Sequence, residues 1–310
     1  MRISGRAVYY STIALTLGSV TASAQEDRRP PIIDMHVHAY SVSANTPTDF
    51  PWLPEGLKRP SSTRSLMEET LAQLRRFNIV KAWTSGPTDL VLQWKAAAPE
   101  VILGASEFAF VESFDPVERI RAHLVSKRLD GIGELIAQGA GLTPSDPYFE
   151  PYLELAEELD KPVAFHTGLP IPGVAYLWFP KARASLGTPL GAEDALVRHP
   201  KLRLFIMHAG YPFLDDTIAF LHMHPQVYAD LAEINWIIPR PEFHEYLCRL
   251  KQAGFGKRLM FGSDQMWWPA AIGIAIDAIE SAPCLSHEDR RDIFYNNAAH
   301  FLRLEDRSIR

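Results

Sequence analysis

The chain has 310 residues, 47% hydrophobic and 22% charged, with a formal net charge of −6. That is enough apolar material for a sizeable core in one or two domains. No basic stripe or block is present, which argues against a nucleic acid or an anionic membrane surface as partner.

The first residues have a composition of their own. Arg2 and Arg6 precede an apolar run over 7–20, and Ala22, Ser23 and Ala24 follow it. Basic, apolar and small residues in that order read as a secretory signal cleaved after Ala24. The run is shorter than the roughly 20 residues that span a bilayer; the alternative is an interfacial or disordered helix. The expected mature chain begins at Gln25 and is exported, to a bacterial periplasm, with no membrane attachment after cleavage. Residues 25–31 read as a short polar tether and 32–310 as one domain. Cys248 and Cys284 form no Cys-x-x-Cys motif. They read as two half-buried thiols, although an oxidising compartment would permit a bridge.

Beyond residue 31, short apolar or β-branched runs alternate with stretches of helical period. Strands are expected at 32–37, 79–84, 101–105, 131–135, 162–166, 202–208, 227–231 and 258–262. Helices are expected near 63–77, 88–98, 116–127, 148–160, 189–199, 213–223 and 241–253, with two more at 269–281 and 287–302. This alternation implies parallel strands with right-handed crossovers. Eight such units predict an α/β fold, a (β/α)8 TIM-type barrel with an extra C-terminal helix. One segment breaks the rhythm. Residues 168–187 form a long loop after the fifth strand, with three prolines, Tyr176, Trp178 and Phe179. Barrel loops of that kind lie on the ligand-binding face.

The stretch "DMHVH" ends the first strand with His36 and His38. Residues i and i+2 of a strand share a face, so two imidazoles can take two positions around one metal ion. Two ordinary polar residues at a strand end would look the same. Four later strands tip the balance. They end in Glu134, His166, His208 and Asp264, and parallel-barrel strand ends converge on one rim. Histidine and carboxylate donors suit zinc or a similar divalent ion.

"DMHVH", "GIGE", "FHTG", "MHAG", "FGSD" and "YNNAAHFL" together resemble the metal-dependent amidohydrolase superfamily. The likeness is to its amidohydrolase-related branch, which is similar to aminocarboxymuconate-semialdehyde decarboxylase and to lactonases acting on pyrone dicarboxylates. It covers about residues 31–304. It implies a divalent metal, zinc or else manganese, bound by His36, His38, His166 and Asp264. It implies Asp264 as the proton carrier and His208 as a second catalytic group. Glu134 and His208 could instead hold a second metal or brace the first. The superfamily's carboxylated lysine has no counterpart at the Glu134 strand end, which speaks for one essential metal.

The implied reaction is hydrolysis of an amide, lactone or ester of a small, apolar or aromatic substrate. Non-oxidative decarboxylation of an unsaturated or aromatic acid is the alternative, and a non-catalytic ligand-binding barrel the third. Tyr176, Trp178, Trp267 and Trp268 are candidate substrate-pocket residues, among rim aromatics that include Tyr40, Phe179, Tyr211 and Trp236. Lys181, Arg183 and Arg240 are the loop cations that could meet a substrate carboxylate. Asp230, ending the seventh strand, could orient a ligand histidine. His222 and His224 read as a solvated helix terminus, and the remaining histidines as ordinary residues of helical stretches. A homodimer stays open.

Overall fold

A computed structural model describes residues 1, 29–43, 50, 53–108 and 114–304. The expected signal segment lies outside the described residues, apart from Met1. Eight parallel strands follow one another in chain order: β1 Ile32–His38, β2 Ile79–Gly86, β3 Ile102–Phe108, β4 Gly131–Leu135, β5 Pro162–His166, β6 Arg203–Met207, β7 Tyr228–Asp230 and β8 Leu259–Met260. The seam between β8 and β1 is tied by backbone bonds. Met35 N donates to Phe261 O at 2.8 Å and Asp264 N to His36 O at 2.7 Å. This is the (β/α)8 barrel that the alternation predicts.

Helices cover the outside at the expected places. Thr63–Arg76 starts at Ser62, whose side chain accepts from Ser65 N in a capping box. The expected closing helix is three pieces: His287–Arg291, a wide turn over Asp292–Asn296, and Asn297–Leu302. It plugs the N-terminal end of the barrel. Phe301 packs on Phe205 with ring centroids 5.5 Å apart, within an inner cluster that includes Ile33, Met35, Trp83 and Met260. No helix among the described residues is long and apolar enough to cross a membrane.

The reading of Cys248 and Cys284 as thiols is corrected here. They form a disulfide with Cα atoms 5.8 Å apart. Their separation of 36 residues says nothing about that distance; the chain between them runs through β8 and the helix Ala271–Glu280, whose C-terminal end returns beside that of the helix Arg240–Leu250.

Irregular strand register aims the functional side chains. Ile33 and Met35 belong to the inner cluster, yet His36 and His38 both face the rim. The change of phase falls where β1 shifts register against β2, between Asp34 and Val37. β4 shifts against β5 between Ile132 and Leu135, which brackets Glu134. Such irregularities re-aim side chains at barrel rims.

Candidate metal centre and substrate cavity

Glu134 is the hub of the rim. Its Oε2 lies 3.4 Å from His36 Nε2 and 3.2 Å from His38 Nε2. Its Oε1 lies 2.5 Å from His166 Nδ1 and 3.6 Å from His208 Nε2. Burial pushes its pKa up, but contact with the four imidazoles holds it well below the usual carboxylate range. Asp264 Oδ1 stands 3.1 Å from His38 Nε2 and 3.9 Å from His36 Nε2. The two Nε2 atoms are themselves 3.1 Å apart.

Two of the imidazoles are fixed from behind. His36 Nδ1 donates to Asp230 Oδ2 at 3.0 Å, and His208 Nδ1 donates to Ala232 O at 3.1 Å. Both rings therefore carry their proton on Nδ1 and turn Nε2 inward. His38 Nδ1 lies 3.3 Å from Glu107 Oε2. Burial alone would lower the His36 pKa; the charges of Asp264 and Asp230 raise it well above the ordinary value. His208, opposed by burial and supported by Glu134 and Glu233, rises to about 9.

The loop after β8 is held by the sequence "GSDQ". A Cβ on Gly262 would lie 2.8 Å from His36 Cβ and from Ala232 Cβ, so only glycine lets these strands approach. Asp34 Oδ1 accepts from Ser263 N at 2.9 Å and from His36 N at 3.0 Å. The Gln265 amide pairs with the backbone of His38 in both directions. His208, Glu233, Asp264 and Met266 all have left-handed φ, between 41° and 60°. Strain of that kind costs about 1–3 kcal/mol per residue and gathers at functional sites.

Among the described residues, three groups of three donors come within 4.8 Å of one another: His36, His38 and Asp264; His36, Glu134 and His208; His208, Glu233 and Asp264. His166, which the resemblance places in the ligand set, joins none of them. Its Nδ1 is engaged by Glu134, while its Nε2, like Asp264 Oδ1, is a buried atom with no hydrogen-bond partner in the protein. Bare nitrogens and carboxylate oxygens facing one another suit a divalent cation: its charge would offset like charges crowded together in low dielectric.

Above these groups opens a cavity of about 430 Å³. Ile136, Ile171, Val174, Trp178, Phe179 and Trp267 form its apolar wall. Two expected pocket residues are elsewhere. In the single helical turn Val174–Leu177, Val174 lines the cavity together with Trp178, four residues on, while Tyr176 points outward and is 94% exposed. Trp268 is fully buried behind Trp267, edge-on to Phe50 and Trp236. Lys181 and Arg183 are exposed and do not line the cavity; Arg240 pairs with Asp277 on the outside.

Sequence reasoning missed two carboxylates, Glu107 and Glu233. Both line the cavity, and burial raises both pKa values, Glu233 to about 8. Glu107 was legible in principle, two residues past the expected end of the third strand. Glu233 follows β7 in a left-handed conformation that no local pattern signals.

Several solved structures share the fold. A probable 2-pyrone-4,6-dicarboxylic acid hydrolase from Acinetobacter baumannii, with citric acid bound, is 15% identical over 89% of this chain and 100% of its own, with a TM-score of 0.60. A 4-oxalomesaconate hydratase from Rhodopseudomonas palustris is 16% identical over 88% and 95%, with a TM-score of 0.60. A dihydroxybenzoic acid decarboxylase from Polaromonas sp. JS666, with manganese and 2-nitroresorcinol bound, is 14% identical over 90% and 99%, with a TM-score of 0.59. No curated protein matches by sequence. The model of the amidohydrolase family matches residues 33–304, nearly all of the barrel. The chain belongs to the amidohydrolase family.

Proposed function

We propose that the chain is an exported, metal-dependent hydrolase that opens an ester, lactone or amide bond of a small aromatic or apolar substrate. The observation that carries this reading is the convergence of His36 Nε2, His38 Nε2 and Asp264 Oδ1 beneath an apolar cavity. A divalent ion held there, zinc or manganese, would supply Lewis acidity and lower the pKa of water from about 15.7 to about 7. Asp264 would take the proton of the attacking water and return it to the leaving group. His208, on the other side of Glu134, stabilises the developing oxyanion. His166 Nε2 is a further donor for the ion or the substrate. Glu134 keeps the four imidazoles oriented. Export is supported by the three-part N-terminal sequence and by the Cys248–Cys284 bridge, since such bridges persist in oxidising compartments.

The test is metal content per chain by plasma mass spectrometry, followed by hydrolysis of an aryl ester, lactone and amide panel. About one ion per chain and turnover abolished in Asp264→Asn, with the fold intact, support the reading. Full activity in Asp264→Asn overturns the role of that residue. The second reading, decarboxylation, draws on the decarboxylases among the structural neighbours. Metal-dependent release of CO₂ from aromatic acids, without hydrolysis of the panel, would establish it instead. Ligand binding with neither reaction would favour a non-catalytic barrel.

A further inference from the structure

The barrel closes where one of its two meeting strands is very short. β8 has two residues, Leu259–Met260, while β1 runs on to His38. Past Met260 two backbone bonds still join the pair, Met35 N to Phe261 O and Asp264 N to His36 O. Asp264 and Met266 then take left-handed φ of 46° and 41°, a conformation that turns a strand out of its sheet. The end of β1 is left without a backbone partner on this side among the described residues. Ala39 N already faces the other way, donating to Ser85 O of β2.

A side chain supplies what the strand does not. His38 N donates to Gln265 Oε1 at 2.8 Å, and Gln265 Nε2 donates to His38 O at 2.7 Å. A primary amide carries the donor and the acceptor of a peptide group, so Gln265 takes the place of one rung of a parallel ladder. The second N–H of Nε2 reaches Met266 O at 3.3 Å. Gln265 is fully buried, and every polar atom of its side chain is satisfied, as a buried amide requires.

The seat of His38 matters because its ring is a candidate ligand. Its Nε2 stands 3.1 Å from Asp264 Oδ1 and 3.1 Å from His36 Nε2. His36 and His208 are each held through Nδ1. His38 is not: Glu107 Oε2 lies 3.3 Å from its Nδ1, but neither atom makes a hydrogen bond among the described residues. Tyr40 stacks on the ring at 4.3 Å. The polar grip on His38 is therefore on its main chain, and it comes from the residue next to Asp264.

We propose that Gln265 is a positioning residue of the metal centre: its amide, in place of a strand, fixes the His38 backbone against Asp264 and so sets the spacing of that pair around a divalent ion. This rests on the metal-centre reading. Gln265→Glu keeps the size and the acceptor but sets an oxygen against His38 O. Gln265→Met keeps the size and loses both bonds. The test loads the whole chain with Co²⁺, whose visible absorption reports ligand geometry, and reads affinity by competition with a chelator. Both variants should bind Co²⁺ at least about tenfold more weakly. At saturating Co²⁺ their bands should be displaced from those of the natural chain. Denaturant unfolding of the metal-free chains runs alongside. A role confined to stability would lower the unfolding midpoint and leave the saturated spectrum as it was, and that result overturns the proposal. So does a Gln265→Glu chain that matches the natural one in affinity and spectrum, even where Gln265→Met fails to fold. Co²⁺ bound by the natural chain and equally by the variants sinks the positioning role alone. No Co²⁺ bound by the natural chain sinks the metal centre, and this role with it.

Discussion

His36 Nδ1 donates a hydrogen bond to Asp230 Oδ2 at 3.0 Å, across 194 residues of sequence. The other oxygen, Oδ1, accepts from His208 N at 2.9 Å and Ala232 N at 3.0 Å. One fully buried carboxylate therefore sets the tautomer of one rim histidine and the backbone seat of another. In Asp230→Asn the amide group must turn its N–H₂ toward one of these donors. Metal affinity should fall about 10–100-fold, read by competition with a chelator, while the far-ultraviolet dichroism stays unchanged. Unchanged affinity would reduce Asp230 to a brace for the loop after β7.

Gly262 makes a second, steric prediction. An added methyl group would meet His36 Cβ and Ala232 Cβ at 2.8 Å, and neither neighbour is the end of a flexible chain. Gly262→Ala should force β8 away from β1 and cost about 1–3 kcal/mol of stability. Because the displaced segment leads directly into Asp264, bound metal should fall further than the folded fraction does. Denaturant unfolding and metal analysis on the same sample compare the two losses.

Much of this site could be read before the fold was known, and for a definite reason. A parallel barrel delivers strand ends to one rim, so His36, His38, Glu134, His166, His208 and Asp264 could be gathered from position alone. What position alone could not give was direction. Tyr176 and Trp178 look alike in sequence, but one turn of helix over Val174–Leu177 sends the first outward and leaves the second on the cavity. Trp267 and Trp268 are adjacent, and adjacent side chains diverge. Glu107 lies just past the point where the apolar run of β3 fades, and Glu233 owes its place to a backbone turn with φ of 60°. Such turns are decided by tertiary contacts.

The Cys248–Cys284 bridge closes a loop across 36 residues and fastens the helix Arg240–Leu250 to the segment after Ala271–Glu280. Loop-closure entropy for that length corresponds to about 4 kcal/mol at most. Lys251 Nζ also donates to Cys284 O at 2.6 Å, so the same corner keeps one tie without the bridge. Cys248→Ser with Cys284→Ser should therefore lower stability by about 2–4 kcal/mol and leave metal content unchanged. Equilibrium unfolding with and without reductant checks it: reductant should destabilise the natural chain and not the double variant.

The last prediction concerns acid stability at the same corner. Asp289 Oδ2 accepts from Lys251 Nζ at 2.6 Å and from Ser286 N at 2.7 Å. The lysine first, then the Ser286 cap, lower its pKa from 3.8 to about 2. A carboxyl whose folded pKa is depressed stabilises fully above its unfolded value and progressively less as pH falls through the folded one. Asp289 should thus contribute at neutral pH and lose its contribution between 3.8 and about 2. The side chain is one-quarter exposed, so solvent screening keeps the effect below about 1 kcal/mol. Asp289→Asn should melt slightly below the natural chain at neutral pH, and the gap should close as pH approaches the folded pKa. A gap that stayed constant down to that pH would mean the cap geometry, not the charge, holds the helix His287–Arg291 in place.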